Sequence, residues 1–582
     1  MLLQSLVKLY ESLAEKGLIE KSGWSPVKIS YGLCIDENGI VYDIVNLKQK
    51  TADGKKEVPR LVSLPMPVKR SSGVDSNFLY DNATYLFGYD SSGKPDRALN
   101  SYENCKNKHL SILDECSDEY SQIIKKFFDN KPDDVQNLLK KLNCSDAVID
   151  EILKKGVNLL LMPDGKSPIK SKEICSAWDR QKNSSDSEKG VCLVTGRYDT
   201  IERTHPLIKN VRGAQSAGAS LVSFNGAAFE SFGKTQGYNA PVSEYAAFAY
   251  TSALNKLIAD NDHRLFVGDT TIVCWTEDAE PAYQDAFFRI FDDENVMSDQ
   301  TLISTLIKVT NGQKVLWNDV PLDPDNNFYI LGISPNSARL SVRFFIKNTF
   351  GKIMDNVLEH EERMKVVKPS FETRSNITLW QMLNETVNKN SREKACKPHL
   401  AGDVLNAILN GTPYPNTLFT GVESRISAEH NINWGKASII KAYLMKNYNM
   451  KYKEDLTLES TNERQQIASL LGVLFSNLEE IQNAANPGIK ATIRDRYFAS
   501  ASSTPALVFP LLIELAQNHL KKLATGQSIY LSKQLTETMS EIEKLTQKFP
   551  VKLTLEEKGM FQLGYYGQTQ KRFTSKEEKN NG

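Results

Sequence analysis

Between residues 467 and 549, apolar side chains recur with the 3.6-residue period of an α-helix. Ile467, Leu470, Leu471, Leu474, Leu478 and Ile481 form one stripe, and Leu531, Leu535, Met539, Ile542, Leu545 and Phe549 form another. A helix with one apolar face has to bury it against a neighbour, so this end of the chain is predicted to be a bundle of roughly three or four helices. Thr504-Pro505 puts proline at a helix's first position, where its missing N–H is not needed, and Gly526 is expected to end that helix. Shorter helical segments precede the bundle over residues 378–383, 403–409, 424–428 and 437–446, around Pro413 and Pro415.

Upstream the pattern changes. Residues 26–34 and 40–45 are β-rich and flank Asn38-Gly39, which reads as a hairpin. The Pro-rich segment 62–73 is predicted to be an ordered loop rather than an element. Residues 102–155 are charged and helical, with apolar Ile123, Ile124, Phe127, Leu138, Leu139, Leu142, Val148, Ile149 and Ile152 on one side. A polar break over 183–190 leads into a strand and turn over 191–196. Residues 265–275 are β-rich around a Gly268-Asp269 turn, and 328–333 and 339–345 read as strands joined by 334–337. In the last of these Arg339 and Arg343 share a face, where surface salt bridges are preferred over phosphate contacts.

A chain of 582 residues exceeds what one core organises. The expected architecture is α+β: a mixed α/β N-terminal domain with antiparallel strands over 1–355, a helical connecting region over 356–444 and an all-α bundle over 445–582. Lys and Arg together number 71, as do Asp and Glu, so there is no global basic footprint of the kind that marks an autonomous nucleic-acid binder. The eight cysteines are scattered without a C-x-x-C pair, which argues for reduced thiols and against a zinc ribbon. The first 17 residues read as an amphipathic helix closed by Gly17, not a signal peptide. No run is long and apolar enough to span a bilayer, and a cytoplasmic protein without membrane contact is expected.

The stretch 211–241 holds Gly213, Gly218, Gly226, Gly233 and Gly237 among Arg212, Gln215, Ser216, Ser220, Asn225, Lys234, Gln236 and Asn239. Glycine lets backbone turn sharply or approach a ligand closely; amide and cationic side chains hydrogen-bond base edges and phosphates. The same composition also fits a packed loop whose amides satisfy its own backbone. Lys69, Arg70, Asn77 and Asn82 upstream are open to two readings as well, a backbone-and-base contact loop or a solvated loop with Asn turn caps.

Catalytic readings find little support. Gly233-Lys234-Thr235 resembles the end of a P-loop, but Ala228 stands where that motif needs glycine. The single E-x-x-H, Glu202 to His205, has no second copy, and His205 reads as structural. Acidic residues Asp278, Glu280, Asp292, Asp293 and Glu294 read as solvated surface rather than a metal site. Neither a metal, a cofactor nor a catalytic residue is expected.

Three blocks in order carry a resemblance: PVKRSSGVDSNFLYDNATYLFG, then RTHPLIKNVRGAQSAGASLVSFNGAAFESFGKTQGYNAPVSEYAAFAYTSALN, then FYILGISPNSARLSVRFF. The chain resembles the large subunit of the type I-C CRISPR Cascade complex from MLLQSLVKLYESLAEKG to EKGMFQLGYYGQTQ; residues 106–155 and 571–582 carry no matching motif. The resemblance implies a non-catalytic subunit of an RNA-guided complex. Its N-terminal domain would lie near the crRNA 5′ handle, read the protospacer-adjacent motif in double-stranded DNA, help open the duplex, and provide the platform for a helicase-nuclease. Implied partners are crRNA, target DNA, the backbone and handle-binding subunits, and a small subunit equal to the free bundle, translated from Met445 or Met450. Target sequence is otherwise read by guide pairing. The implied motif-reading residues are Lys69, Arg70, Asn77, Asn82, Arg212, Gln215, Ser216, Asn225, Lys234, Gln236 and Asn239. The bundle's Lys490, Arg494, Arg496, Lys521 and Lys522 would track the displaced strand, or else form a plain solvated surface.

Overall fold

The computed structural model describes residues 1–51, 56–68, 74–90, 93–181, 188–290, 300–374, 376–392, 396–397, 399–452, 458–459 and 462–580. The fold is α+β. Apart from the two N-terminal residues, the chain parts into two compact units, Leu3–Pro206 with Ser223–Ala253, and Leu207–Val222 with Leu254–Gly582.

The first unit is built on a mixed sheet in the order Val41–Asn46, Tyr31–Ile35, Leu159–Pro163, Tyr80–Asp81. The hairpin expected around Asn38-Gly39 is present, with Gly39 at φ +82°. Residues 26–34 do not form one strand, however. The chain breaks at Ser30, and Trp24–Ile29 pairs instead with Arg60–Pro65 in a separate antiparallel ladder. Residues 62–65 therefore belong to a strand, not to the predicted loop; a ladder this narrow offers only edges, where proline is tolerated, and Pro65 ends it.

Tyr31–Ile35 and Leu159–Pro163 run parallel, and parallel neighbours need a long crossover. The charged helices Pro95–Leu113, Glu119–Asp129, Val135–Lys141 and Asp146–Leu153 lie within it. Their apolar sides, including Ile123, Ile124, Phe127, Phe128, Leu139 and Ile152, join one core with Leu33, Ile35 and Leu161. Periodicity in this segment thus reports helices laid over a sheet.

The second unit contains an antiparallel sheet in the order Leu265–Val267, Thr270–Thr276, Asn327–Asn336, Arg339–Thr349. Gly268, at φ +63°, makes the expected turn. Arg343 Nη2 lies 2.8 Å from Asp269 Oδ2, an ion pair of the kind preferred for it. Phe328, Phe350, Met354, Tyr443, Phe475 and Phe561 share one apolar core, continuous across positions 355 and 444.

The helical bundle comprises Glu463–Ala485, Ile493–Ala501, Pro505–Leu520, Thr525–Leu545 and Leu555–Asn580. Pro505 is indeed at the first helical position, but Gly526 does not end that helix. The chain turns at 521–524, and Gly526 lies in the first turn of Thr525–Leu545, where backbone N–H groups have no intrahelical acceptor to lose. Phe549 lies past that helix, and its ring centroid is 5.4 Å from that of Phe509.

His263 is flanked by carboxylates: Nδ1 is 2.8 Å from Asp260 Oδ2, and Nε2 is bonded to Asp285 Oδ1. Burial opposes the imidazolium, but the two carboxylates outweigh it and hold the pKa above its usual 6.5. A raised folded pKa contributes stability that is complete below the unfolded value and lost as pH rises through the folded one. Denaturant midpoints of His263→Gln and the unaltered chain are therefore expected to converge as pH rises from below the usual histidine value through the raised folded pKa of His263.

Candidate nucleic-acid interface

The glycine-rich stretch is shared between the two compact units. Its first part, Leu207–Val222, folds back on itself, Ile208 and Ala219 exchanging hydrogen bonds of 2.9 Å, and is stitched to the rest of the second unit by Ser220, whose N donates to Ala338 O at 3.1 Å and whose O accepts from Leu340 N at 2.9 Å. Asn255 pins the start, accepting from Lys209 N at 2.8 Å and donating to Leu207 O at 3.1 Å. Arg212, Gln215 and Ser216 are exposed. The Arg212 guanidinium lies 5.4 Å from the centroid of Phe266, and that of Arg264 lies 5.1 Å from it. Arg212 thus presents a cation supported by an aromatic ring, with no carboxylate paired to it among the described residues.

The second part belongs to the first unit and contains the most specific geometry in the stretch. Lys234 N donates to Ser231 O at 3.0 Å, closing a tight turn whose central residues Phe232 and Gly233 have φ of +54° and +70°. Positive φ at both positions is the type I′ arrangement, easy for glycine and strained for phenylalanine. The Phe232 side chain is 100% exposed and Phe229 is 48% exposed. Behind the turn, Asn239 Oδ1 accepts from Ser231 N at 2.8 Å, while Asn239 Nδ2 donates to Lys234 O at 2.9 Å and Gln236 O at 3.0 Å. Gln236 Oε1 accepts from Arg203 Nε at 2.6 Å, and Gly237 N donates to Arg203 O at 3.0 Å. The amides of Gln236 and Asn239 hold this loop in shape, while Lys234 in the turn and Asn225 upstream are exposed.

Phe232 is the residue that sequence reasoning missed. Its signal is an aromatic directly before glycine in an otherwise polar run. Strain of this kind persists where surrounding structure over-determines it and collects at functional sites.

The upstream candidates divide differently. Lys69 and Arg70 lie outside the described residues, as do Asp292, Asp293 and Glu294. Asn77 is buried, accepting from Val68 N at 3.0 Å and donating its own N–H to Asp81 Oδ2 at 2.8 Å. Asn82 caps the helix Ala83–Phe87 by accepting from Thr84 N at 3.1 Å and Tyr85 N at 3.4 Å. Both side chains serve this loop's own backbone. Close by, Leu79 N donates to His109 Nε2 at 2.8 Å, and burial pushes the pKa of His109 down to about 4.

In the bundle, Lys490, Arg496, Lys521 and Lys522 are exposed, whereas Arg494 is turned toward Glu479, with Nε 3.8 Å from Oε1. Asn486 Nδ2 reaches His519 Nδ1 at 3.4 Å. That contact brings the loop leading to Lys490 beside the helix end carrying Lys521 and Lys522. His205, read from the sequence as structural, is buried with Nδ1 2.7 Å from Tyr250 Oη, and desolvation lowers its pKa to about 4. It is neutral and engaged. Among the described residues, no cluster of three or more His, Cys, Asp or Glu is placed to hold a metal ion, and no helix is long and apolar enough to cross a membrane.

The chain is thus an α+β protein whose first unit carries an aromatic-tipped turn and whose second carries a helical bundle with an exposed basic corner. Residues 6–573 match the model of the family described as CRISPR-associated protein (Cas_Csd1), and the chain belongs to that family. No curated protein matches it.

Proposed function

We propose that this chain is the non-catalytic large subunit of a type I-C Cascade complex, which inspects duplex DNA beside the target and starts its opening. Membership of a CRISPR-associated family supports the setting. The observation that carries the finer reading is the turn Ser231–Lys234, a braced and strained hairpin tip with Phe232 wholly in solvent. Burying such a ring against base pairs is favourable, and proteins that kink duplexes insert Phe or Leu between base steps in this way. Lys234 supplies a phosphate contact, and Asn225, an exposed amide of the same unit, suits base-edge reading; Arg212 is an exposed cation of the second unit that suits a phosphate contact there.

In this reading Gln236 and Asn239 shape the loop, and Asn77 and Asn82 shape its upstream companion. The exposed Lys490, Arg496, Lys521 and Lys522 attract the displaced strand. The partners are crRNA, the backbone and handle-binding subunits, the small subunit and the helicase-nuclease. Their contribution of positive charge accounts for the chain's own net charge of +0. The test is duplex binding by the reconstituted complex. Authentic protospacer-adjacent motifs are expected to bind better than scrambled ones only when this chain is present; equal affinity for both would refute the proposal.

A further inference from the structure

The second unit contains a cleft of about 610 Å³, lined among others by Asp262, His263, Arg289, Trp317, Asn318 and Trp380. That size falls within the range of small-ligand sites. One wall is the hairpin of Val315–Trp317 and Val320–Leu322. Its turn, with Asn318 at φ +48° and Asp319 at φ +65°, leaves the Asn318 side chain at the surface while Trp317 is buried. The helix Pro281–Ile290 carries Arg289, whose guanidinium lies 5.8 Å from the Trp317 ring centroid. Trp380 comes from the first turn of Leu379–Asn384, fixed by a capping box between Thr378 and Gln381.

Two features point to an occupant. The Trp317 indole N–H is buried and donates to no acceptor among the described residues. Arg289 is exposed and pairs with no carboxylate among them. The cleft's other cations are engaged: His263 is bonded to Asp260 and Asp285, and Arg264 donates to Ile258 O and Asn261 Oδ1, which leaves Arg289 as the cation open to an anion.

Flat indole surface, a cation stacked on it and an amide at the lip match the parts of one nucleotide. The base stacks, the phosphate accepts from the guanidinium, and the amide meets the base edge. A base inside a duplex cannot reach such a cleft. An aliphatic ligand would bury Arg289 without a partner, and a simple carboxylate would leave the indoles unused. We infer that this cleft holds one unpaired nucleotide of a single strand, its base against the partly exposed Trp380 and its phosphate on Arg289, which rests on the buried Trp317.

The test uses the full chain and fluorescence anisotropy of labelled hexanucleotides: deoxyadenylate, riboadenylate, and an abasic deoxyribose-phosphate strand of equal length. Base-bearing strands are expected to bind at least about tenfold more tightly than the abasic one. Arg289→Glu should weaken them by about tenfold or more and Arg289→Lys by much less, while Trp380→Ala should erase the preference for a base. The tighter of the DNA and RNA arms identifies displaced strand or guide as the source, and either supports the site. Unchanged binding by Arg289→Glu, or equal binding of abasic and base-bearing strands, would overturn the inference. Because the duplex-motif comparison involves no residue of this cleft, the two readings fail separately.

Discussion

Phe232→Ala in the assembled complex is expected to slow opening of a fully paired target by about tenfold or more, while a target whose first base pairs beside the motif are already mismatched opens at the unaltered rate. Unstacking one base step requires a few kcal/mol, and a factor of ten corresponds to about 1.4 kcal/mol, so partial replacement of those contacts by Phe232 suffices for this effect. The ring has no folding role to confound the outcome, because it is 100% exposed. Removing it also relieves little strain, since alanine at φ +54° is disfavoured too. Permanganate footprinting of unpaired thymines on both targets reads the difference. Equal slowing on both would make Phe232 a general binding residue instead.

The second large effect concerns stability. Helices Glu463–Ala485 and Leu555–Asn580 cross where Gly472 meets Phe561 O and Gly564 meets Ser469 O, each so closely that an added methyl would overlap the facing backbone. A flexible side chain can move away, but a helix backbone is held by its own hydrogen bonds and by the packing of Phe475, Phe498, Phe561 and Tyr565. Gly472→Val or Gly564→Val is therefore expected to destabilise the second unit by about 3 kcal/mol or more. A changed position in an exposed helix would shift stability far less, by the propensity difference alone. Equilibrium urea unfolding measures it, with Gly526→Ala as the control, since a Cβ there meets nothing within 4 Å.

That crossing shows where legibility in the sequence ends. Apolar stripes over 467–481 and 531–545 are local, and local periodicity identified the two helices that carry them. Gly472 and Gly564 lie about 90 positions apart, and only the crossing explains them. The same holds for Arg60–Pro65, whose Pro65, with Pro67 just beyond, reads as loop until a remote partner, Trp24–Ile29, gives the segment a ladder. In the candidate site, composition identified the stretch and left the roles of its amides open, because a carboxamide that reads adenine also caps a turn. Asn82 caps a helix and Asn239 braces a hairpin, outcomes that depend on which backbone groups lie nearby. Phe232 escaped notice because an isolated aromatic ordinarily reads as core.

The central claim is that the loop around Phe232 reads and opens duplex DNA at the protospacer-adjacent motif. It is tested most directly by the ratio of affinities for authentic and scrambled motifs, measured on complexes carrying Asn225→Ala or Lys234→Ala. Asn225→Ala is predicted to lose about 1–3 kcal/mol on the authentic motif alone, collapsing the ratio. Lys234→Ala is predicted to weaken both duplexes alike and preserve it. A ratio that survives Asn225→Ala, with neither duplex weakened by Lys234→Ala, would contradict the account.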